Sequence, residues 1–496
     1  MEHYGILSLL PPVVAILLAI RTRQVFLSLT VGVWLGWLIL GDWNFLKSFF
    51  DSIQALVDVF KDAGNTRTIM FCALVGALIV FIQKSGGVEG FILKINRLME
   101  KVEERYPGKN AVVIPLMAWF CGVLVFVETS ISSLTVGTLF RPIFDREKIS
   151  REKLAWIADS SSAPASILIP FNGWGAFIMG LLAAQGFGDP FAVLFATMPY
   201  NFYPILALLI VPVFLFFKKD ISSMKNAEKR IRETGKLLPD NAQPMVSDDL
   251  TAVAKKEGIA PKSRNMILPI LVMVVMMPLI LAFTGWQSML ETQSDAPFFT
   301  RLFYAIGQGS GSTAVLAAVL TALLFSMILY RAQGIFKTGE MVDLILKGVA
   351  GLVPLALLMM LAFAIGNVCK LLGAGSFVAE IASGVIAPGL VPFIIFLAAC
   401  FIAFSTGTSW GTFAIMIPIA VPLANQLGAD VTITIAAALG GGVFGDHCSP
   451  ISDTTIISSM SAACDHIDHV KTQLPYALLG GALSAILYLI AGFAWK

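Results

Sequence analysis

Gly445-Asp-His-Cys-Ser-Pro-Ile-Ser-Asp-Thr-Thr-Ile-Ile-Ser-Ser459 is the stretch whose reading decides the fold. Asp446, His447 and Asp453 stand there with a proline and a run of hydroxyls. An apolar segment from Thr432 to Val443 precedes them, and an uncharged segment follows as far as Cys464. Ionisable groups at membrane depth are costly and persist where they line a pathway. The stretch therefore reads as half of an ion or substrate site inside a membrane.

Composition agrees. The 496-residue chain is 57% hydrophobic and 13% charged, where soluble domains carry about 25% charged residues. An all-α polytopic membrane protein with little soluble mass follows. The net charge of +2 gives no ground for a nucleic-acid partner, because the charges are segregated along the chain. Cys72, Cys121, Cys369, Cys400, Cys448 and Cys464 show no C-x-x-C spacing and fall mostly in apolar runs. They read as small buried hydrophobes rather than as zinc ligands or a disulfide framework. Met1-Glu-His-Tyr4 lacks a basic leader region, so the first apolar run is read as a retained helix.

A spanning helix needs roughly 20 apolar residues. Spans are expected near 5–20, 24–40, 68–83, 152–183, 191–217, 266–284, 313–330, 351–369, 431–463 and 473–495. The stretches 110–141 and 389–425 differ, each being two helical pieces around a polar centre. From Glu128 to Arg141 there is room for about 18 Å of helix, too little to cross. Both stretches are therefore read as re-entrant hairpins. Pieces 45–62 and 88–105 mix charge with apolar residues and are expected at the interface.

The long polar segment, residues 218–263, divides the chain into a first half, 1–217, and a second, 264–496. The halves correspond. Leu74 to Phe91 resembles Leu361 to Phe377. Each then leads to a hydroxyl-rich hairpin centre, Glu128 to Thr138 or Ser405 to Thr412. Each hairpin leads to a proline-containing helix break, expected at Asp159 to Ser166 and at Asp446 to Ser452. Five spans per half, an odd number, turn the second half upside down, which makes the pair an inverted-topology repeat. With the basic 218–263 segment in the cytoplasm, most of the 34 Lys and Arg fall on the cytoplasmic side and both termini lie outside. The mixed-charge segment itself predicts a solvated tether.

Unwound helix in hydrocarbon is tolerated where it lines a cavity. A break frees carbonyls for cations and exposes helix N-termini to anions. Pro164 and Pro450 each remove a backbone donor. A Na⁺ shell is expected to be oxygen, from carboxylates, hydroxyls and carbonyls. Asp446, Ser449, Ser452 and Asp453 offer such a set, faced by Thr408 and Ser409 from the hairpin. The first-half counterparts are Asp159 and Ser161, faced by Ser130. Protons compete with a bound cation for a carboxylate, so one group can serve both ions. Asp446, His447 and Glu128 are the proton-carrying candidates. His447 is either a titrating partner of Asp446 or a hydrogen-bonded strut. Glu128 either carries a proton or pairs with a cation such as Arg141. Asn172, after the second break motif Ile169-Pro-Phe-Asn-Gly-Trp-Gly175, either ligands a substrate or caps a helix. His466 and His469, beside Asp465 and Asp468, read as a solvated helix end. Asp159 lies about 13 Å past its helix start and Asp446 roughly 21 Å past its own, so the two halves are expected to do different jobs.

Several chemistries find no support. The Leu439-to-Gly445 glycines lack the Lys-Ser/Thr of a phosphate loop and read as close helix packing. There is no H-E-x-x-H, and no nucleophile–base pair that would suggest an intramembrane enzyme.

The Gly445–Ser459 run, followed by Asp465-His and Leu474-Pro, resembles the hallmark of the NhaC-type Na⁺/H⁺ antiporter family. Ser150 to Pro164, with Ile169 to Gly175, is similar to that family's first-half motif. The resemblance runs over nearly the whole chain in order. It implies a secondary transporter of the ion transporter superfamily, with paired hairpins and broken helices. It supports Na⁺ coupling more firmly than any one substrate, since the family includes malate/lactate exchangers. The expected function is Na⁺/H⁺ antiport by alternating access, with Na⁺ held at Asp446 and Asp453. The alternative is a Na⁺-coupled carrier of a small organic anion or amino acid, and the distant alternative an ion channel. No cofactor is expected beyond Na⁺ and H⁺ as coupling ions. The expected surroundings are the lipid of a bacterial cytoplasmic (inner) membrane, small ions and, under the alternative, a small organic acid. A homo-oligomer is compatible with this reading.

Overall fold

The computed structural model describes residues 4–494 apart from 23, 92, 95–96, 98–109, 127–128, 171, 245–255, 257, 294–296, 375–376 and 378–386. Among the described residues the secondary structure is helical, with one isolated β-bridge between Pro244 and Asp465. The first half contains α1 (Leu10–Thr22), α2 (Val25–Leu40), α3 (Phe45–Asp58), α4 (Ala63–Lys84), α5 (Asn110–Leu124) and α6 (Thr129–Arg146). It continues through α7 (Arg151–Leu168), α8 (Gly173–Ala184), α9 (Pro190–Thr197) and α10 (Phe202–Phe217). A short α11 (Ser222–Thr234) follows. The second half contains α12 (Arg264–Gln293), α13 (Phe298–Gly307), α14 (Gly311–Ala332), α15 (Thr338–Leu371), α16 (Val391–Thr406) and α17 (Ser409–Leu427). It ends in α18 (Val431–Cys448), α19 (Asp453–Ala462) and α20 (His466–Ala494).

Among the described residues, 8 helices are long and apolar enough to cross a membrane, or up to 10 if each of two bent helix pairs is one span. The chain is a multi-pass membrane protein. Large apolar side chains such as Phe283 and Ile328, 82% and 70% exposed, face outward, where hydrocarbon takes the place of water.

One order of elements occurs twice: a long helix, two helices joined by a short turn, then a helix interrupted at a proline-containing link. In the second half the interruption falls where the sequence predicts it. Asp430 caps α18 by accepting from Ile433 N at 2.8 Å, and α18 ends at Cys448, with the extended Ser449 as its end cap before Pro450. Ser452 then caps α19. In the first half the interruption is displaced from its expected place. α7 continues through Pro164 to Leu168, and the break is the link 169–172. Pro170 disfavours helical backbone at Ile169, which is extended at φ −116° and ψ 96°. Pro164 removes the bond to Ser160 O, yet α7 stays helical there, and hydroxyls beside it add bonds within the preceding turn. Ser161 Oγ donates to Ile157 O at 2.7 Å and Ser162 Oγ to Asp159 O at 3.0 Å.

The hairpin arms are longer than their polar centres suggest. α6 has 18 residues, about 27 Å of helix, because it runs past Arg141 to Arg146. α16 and α17 are each among the helices long and apolar enough to cross. Small residues let helices approach closely. A methyl group placed at Gly445 of α18 would stand 2.5 Å from Cys400 O of α16, and one at Gly441 2.5 Å from Phe396 O.

The described part of the 218–263 segment that follows the first half is packed against the helices, not the solvated tether its composition predicts. α11 buries Met224, Ala227, Glu228 and Ile231, a stripe at helical spacing, against α7 and α20. Lys153 of α7 pairs with Asp220 at 3.0 Å and Glu228 at 3.3 Å, and Arg230 pairs with Glu152 at 2.9 Å. Burial pushes the Glu228 carboxyl up, but Lys153 and the Ser150 hydrogen bonds outweigh it and hold it below its ordinary value of 4.5.

Candidate functional site

Asp446 sits in the last turn of α18 and is 2% exposed. Its Oδ2 accepts from Ser409 Oγ at 2.7 Å, and its Oδ1 accepts from Ser452 Oγ. Ser409 is the first residue of α17 and Ser452 is the cap of α19. The carboxylate therefore lies at two helix N-termini, whose dipoles favour negative charge. A carboxylate with two hydroxyls is a hard, all-oxygen donor set suited to an alkali cation or a proton.

Two other predicted second-half ligands, Ser449 and Thr408, are turned elsewhere. Ser449 Oγ donates to Phe404 O at 2.8 Å, which fastens the break to the hairpin turn. Thr408 caps α17 by accepting from Gly411 N at 3.4 Å. The side chain of Asp453 lies outside the described residues, although its backbone begins α19.

Asp159, on α7, is fully buried and meets a different set of groups. Its Oδ2 accepts from Gln473 Nε2 at 2.7 Å and lies 3.3 Å from His469 Nε2, both on α20. Gln473 Nε2 also donates to the main-chain carbonyl of His447. His447 is not a partner of Asp446. Its Nδ1 meets Tyr203 Oη at 2.6 Å and its Nε2 meets Ser160 Oγ at 3.1 Å, so it braces α18 against α10 and α7. His469 is not part of a solvated helix end, since it is fully buried. His466 bonds Pro450 O at 2.6 Å and so holds the break.

Counting back from the two breaks explains the unequal depths. Asp446 stands three residues before the end cap Ser449, and the residue so placed before Ile169 is Ser166. Ser166 Oγ donates to Phe126 O at 3.0 Å. Asn172 occupies the position of Ser452 as cap of the second helix piece. Its Oδ1 accepts from Gly175 N at 3.1 Å, and its Nδ2 donates to Phe126 O at 2.9 Å and Ser166 O at 2.7 Å. Asn172 is committed to backbone on both sides of the amide. Ser161 is likewise turned to Ile157 O. Glu128 and the side chain of Ser130 lie outside the described residues. His469, Gln473 and Tyr203 escape a motif reading. For the first two the signal is their i, i+4 spacing on one face of α20, whereas Tyr203 stands alone in the apolar run of α10.

Residues 178–493 match the Na⁺/H⁺ antiporter family. The chain belongs to that family. Membership makes it a secondary transporter and not an enzyme. The match takes in α18, α19 and Asp446, and begins after Asp159 and Asn172. Among relatives of this antiporter-family chain, an uncharacterised protein of Haemophilus influenzae is 32% identical over 99% of this chain and 91% of its own length. The malate-2H⁺/Na⁺-lactate antiporter of Bacillus subtilis is 33% identical over 18% of this chain and 19% of its own. In fold, the chain is similar to the Alcanivorax borkumensis YdaH transporter, with a TM-score of 0.56, 15% identity and 90% of each chain covered.

Proposed function

We propose that this chain exchanges Na⁺ for H⁺ by alternating access, with Asp446 as the carboxylate that holds either ion. The observation that carries this is the seat of Asp446, buried at the N-termini of α17 and α19 with the Ser409 and Ser452 hydroxyls on its two oxygens. When Na⁺ binds, both hydroxyls turn a lone pair to the ion. When a proton binds, they return to the carboxyl group. The two states exclude one another at one site, which is the condition for exchange.

The moving frame in this reading is a pair of inverted repeats, 1–217 and 264–496, joined by a cytoplasmic segment 218–263. Each repeat sets a re-entrant hairpin against a broken helix. In support, each hairpin turn is fastened to the break of its own half, through Ser449 to Phe404 O and through Asn172 to Phe126 O. Both termini lie outside a bacterial cytoplasmic membrane. Asp453 contributes to the same cation shell.

A second reading rests on a different feature. A cavity of about 440 Å³ lies among the ends of α8, α15 and α17, with Lys370, Gln185, Asn425 and Gln426 in its wall. A cation with amides suits a small carboxylate, which would make the protein a Na⁺-coupled organic-anion carrier. The two readings separate in proteoliposomes. A Na⁺ gradient imposed without any organic solute drives a change of internal pH under the exchange reading. A pH change that requires an added small carboxylate supports the second. Conductance far above carrier turnover contradicts both and indicates a channel.

A further inference from the structure

Three buried side-chain atoms around Asp159 have no hydrogen-bond partner among the described residues: Asp159 Oδ1, His469 Nδ1 and Gln473 Oε1. Buried polar atoms are almost always paired, so three open ones on mutually bonded side chains mark a place where something binds. All three residues are at most 1% exposed. The bonds already made fix which atoms stay open. His469 Nε2 and Gln473 Nε2 both point to Asp159 Oδ2, so the second ring nitrogen of His469 and the second oxygen of Asp159 face elsewhere.

We infer that Asp159 and His469 form a second proton site, coupled through Gln473 to Asp446, whose protonation is required for Asp446 to exchange its Na⁺ for a proton. This inference rests on the exchange reading and extends it. A proton arriving at His469 Nδ1 makes an imidazolium paired with the Asp159 carboxylate. One arriving at Asp159 Oδ1 makes a neutral acid. In both cases the site changes from net negative to neutral without Na⁺. The coupling is a single side chain: Gln473 Nε2 is shared between Asp159 Oδ2 and the carbonyl of His447, the residue after Asp446. Neutralising Asp159 weakens its hold on Gln473 and frees the last turn of α18 to reposition Asp446.

The titratable groups facing Asp159 are His447 and Cys448 of α18, Tyr203 of α10 and His469 of α20. α6 and α11 bring Asp145 and Glu228 to α7, but at Arg151 and Lys153 near its N-terminus. α5 and α8 carry no Asp, Glu, Lys, Arg or His. The Asp453 side chain of α19 lies outside the described residues.

The full chain in proteoliposomes tests this with ²²Na⁺ in two assays. One is Na⁺ counterflow at equal pH on both sides, which needs the cation site alone. The other is uptake driven by a pH gradient, which needs proton coupling. Asp159→Asn is expected to retain counterflow and lose pH-driven uptake, while Asp446→Asn loses both. His469→Gln, which keeps a donor toward Asp159, is expected to retain counterflow and to move the pH of half-maximal driven uptake. Unchanged pH-driven uptake in Asp159→Asn overturns the inference. So does loss of counterflow in Asp159→Asn with the protein still monodisperse, which would make Asp159 a Na⁺ ligand. If Asp159→Asn does not fold, an unchanged pH profile in His469→Gln overturns it. A wild type that shows neither activity refutes the exchange reading itself.

Discussion

Gln473 Nε2 lies 2.7 Å from Asp159 Oδ2 and donates also to the carbonyl of His447, so one side chain of α20 ties the two interrupted helices together. α7 and α18 belong to opposite halves of the chain. Each carries a buried carboxylate, and the shells of the two differ. Hydroxyls at helix N-termini surround Asp446, whereas an imidazole and an amide surround Asp159.

The Ser409 hydroxyl is a ligand candidate with little structural duty, since Thr408 caps its helix. Ser409→Ala is expected to raise the apparent KM for Na⁺ by roughly tenfold, the worth of one charge-assisted contact, with Vmax little changed. Ser452→Ala removes a ligand and a helix cap together. It should add a stability loss of about 1 kcal/mol, read as a lower Tm in detergent. An unchanged Na⁺ KM in both variants would remove the hydroxyls from the site.

Asn172 separates capping from liganding. Asn172→Ala loses the cap of α8 and both donations across the break, with an expected stability loss of about 1–2 kcal/mol. Asn172→Asp keeps the cap and loses the donations, so it should fall between. Neither change is expected to move the Na⁺ KM of the protein that folds. A KM effect larger than the stability effect would return Asn172 to the binding site.

Docking of α11 depends on pH through Glu228. Its carboxyl is held below its ordinary value of 4.5 in the folded protein, so its contribution is complete at neutral pH. That contribution is lost as pH falls below about 4.5 and through the lowered value. Protection of the amides of residues 222–234 against hydrogen exchange, relative to their intrinsic rates at each pH, should be high at neutral pH and fall in acid. Glu228→Gln should weaken docking at neutral pH by about 1–3 kcal/mol and abolish this acid dependence. Lys153 keeps Asp220 as a partner in that variant, which limits the loss. Identical acid dependence in Glu228→Gln and wild type would assign the effect to another group.

Much of this was legible in the sequence because hydrocarbon leaves few options for polar residues. Asp446 announces itself by standing between apolar runs, and Ser409 and Ser452 lie in the two hydroxyl clusters that face it. Pro450 marks its break correctly, while Pro164 does not. A proline signals a lost donor to the carbonyl four residues back, here Ser160 O, but one lost bond need not part a helix, and α7 keeps helical backbone as far as Leu168. The α11 clamp was hidden because its apolar stripe is short and lies in a charged background. The Asp159 shell was hidden for another reason. His469 and Gln473 lie more than 300 positions away in the chain, and no local pattern links residues so far apart.

The central claim is that the carboxylate of Asp446 exchanges Na⁺ for a proton. The most direct measurement is Na⁺-driven proton flux in proteoliposomes carrying Asp446→Asn, which keeps the shape and removes the charge. The account predicts that this flux is abolished, together with any thermal stabilisation of the purified protein by Na⁺, while the protein still reaches the membrane. Flux near the wild-type rate from Asp446→Asn would contradict it.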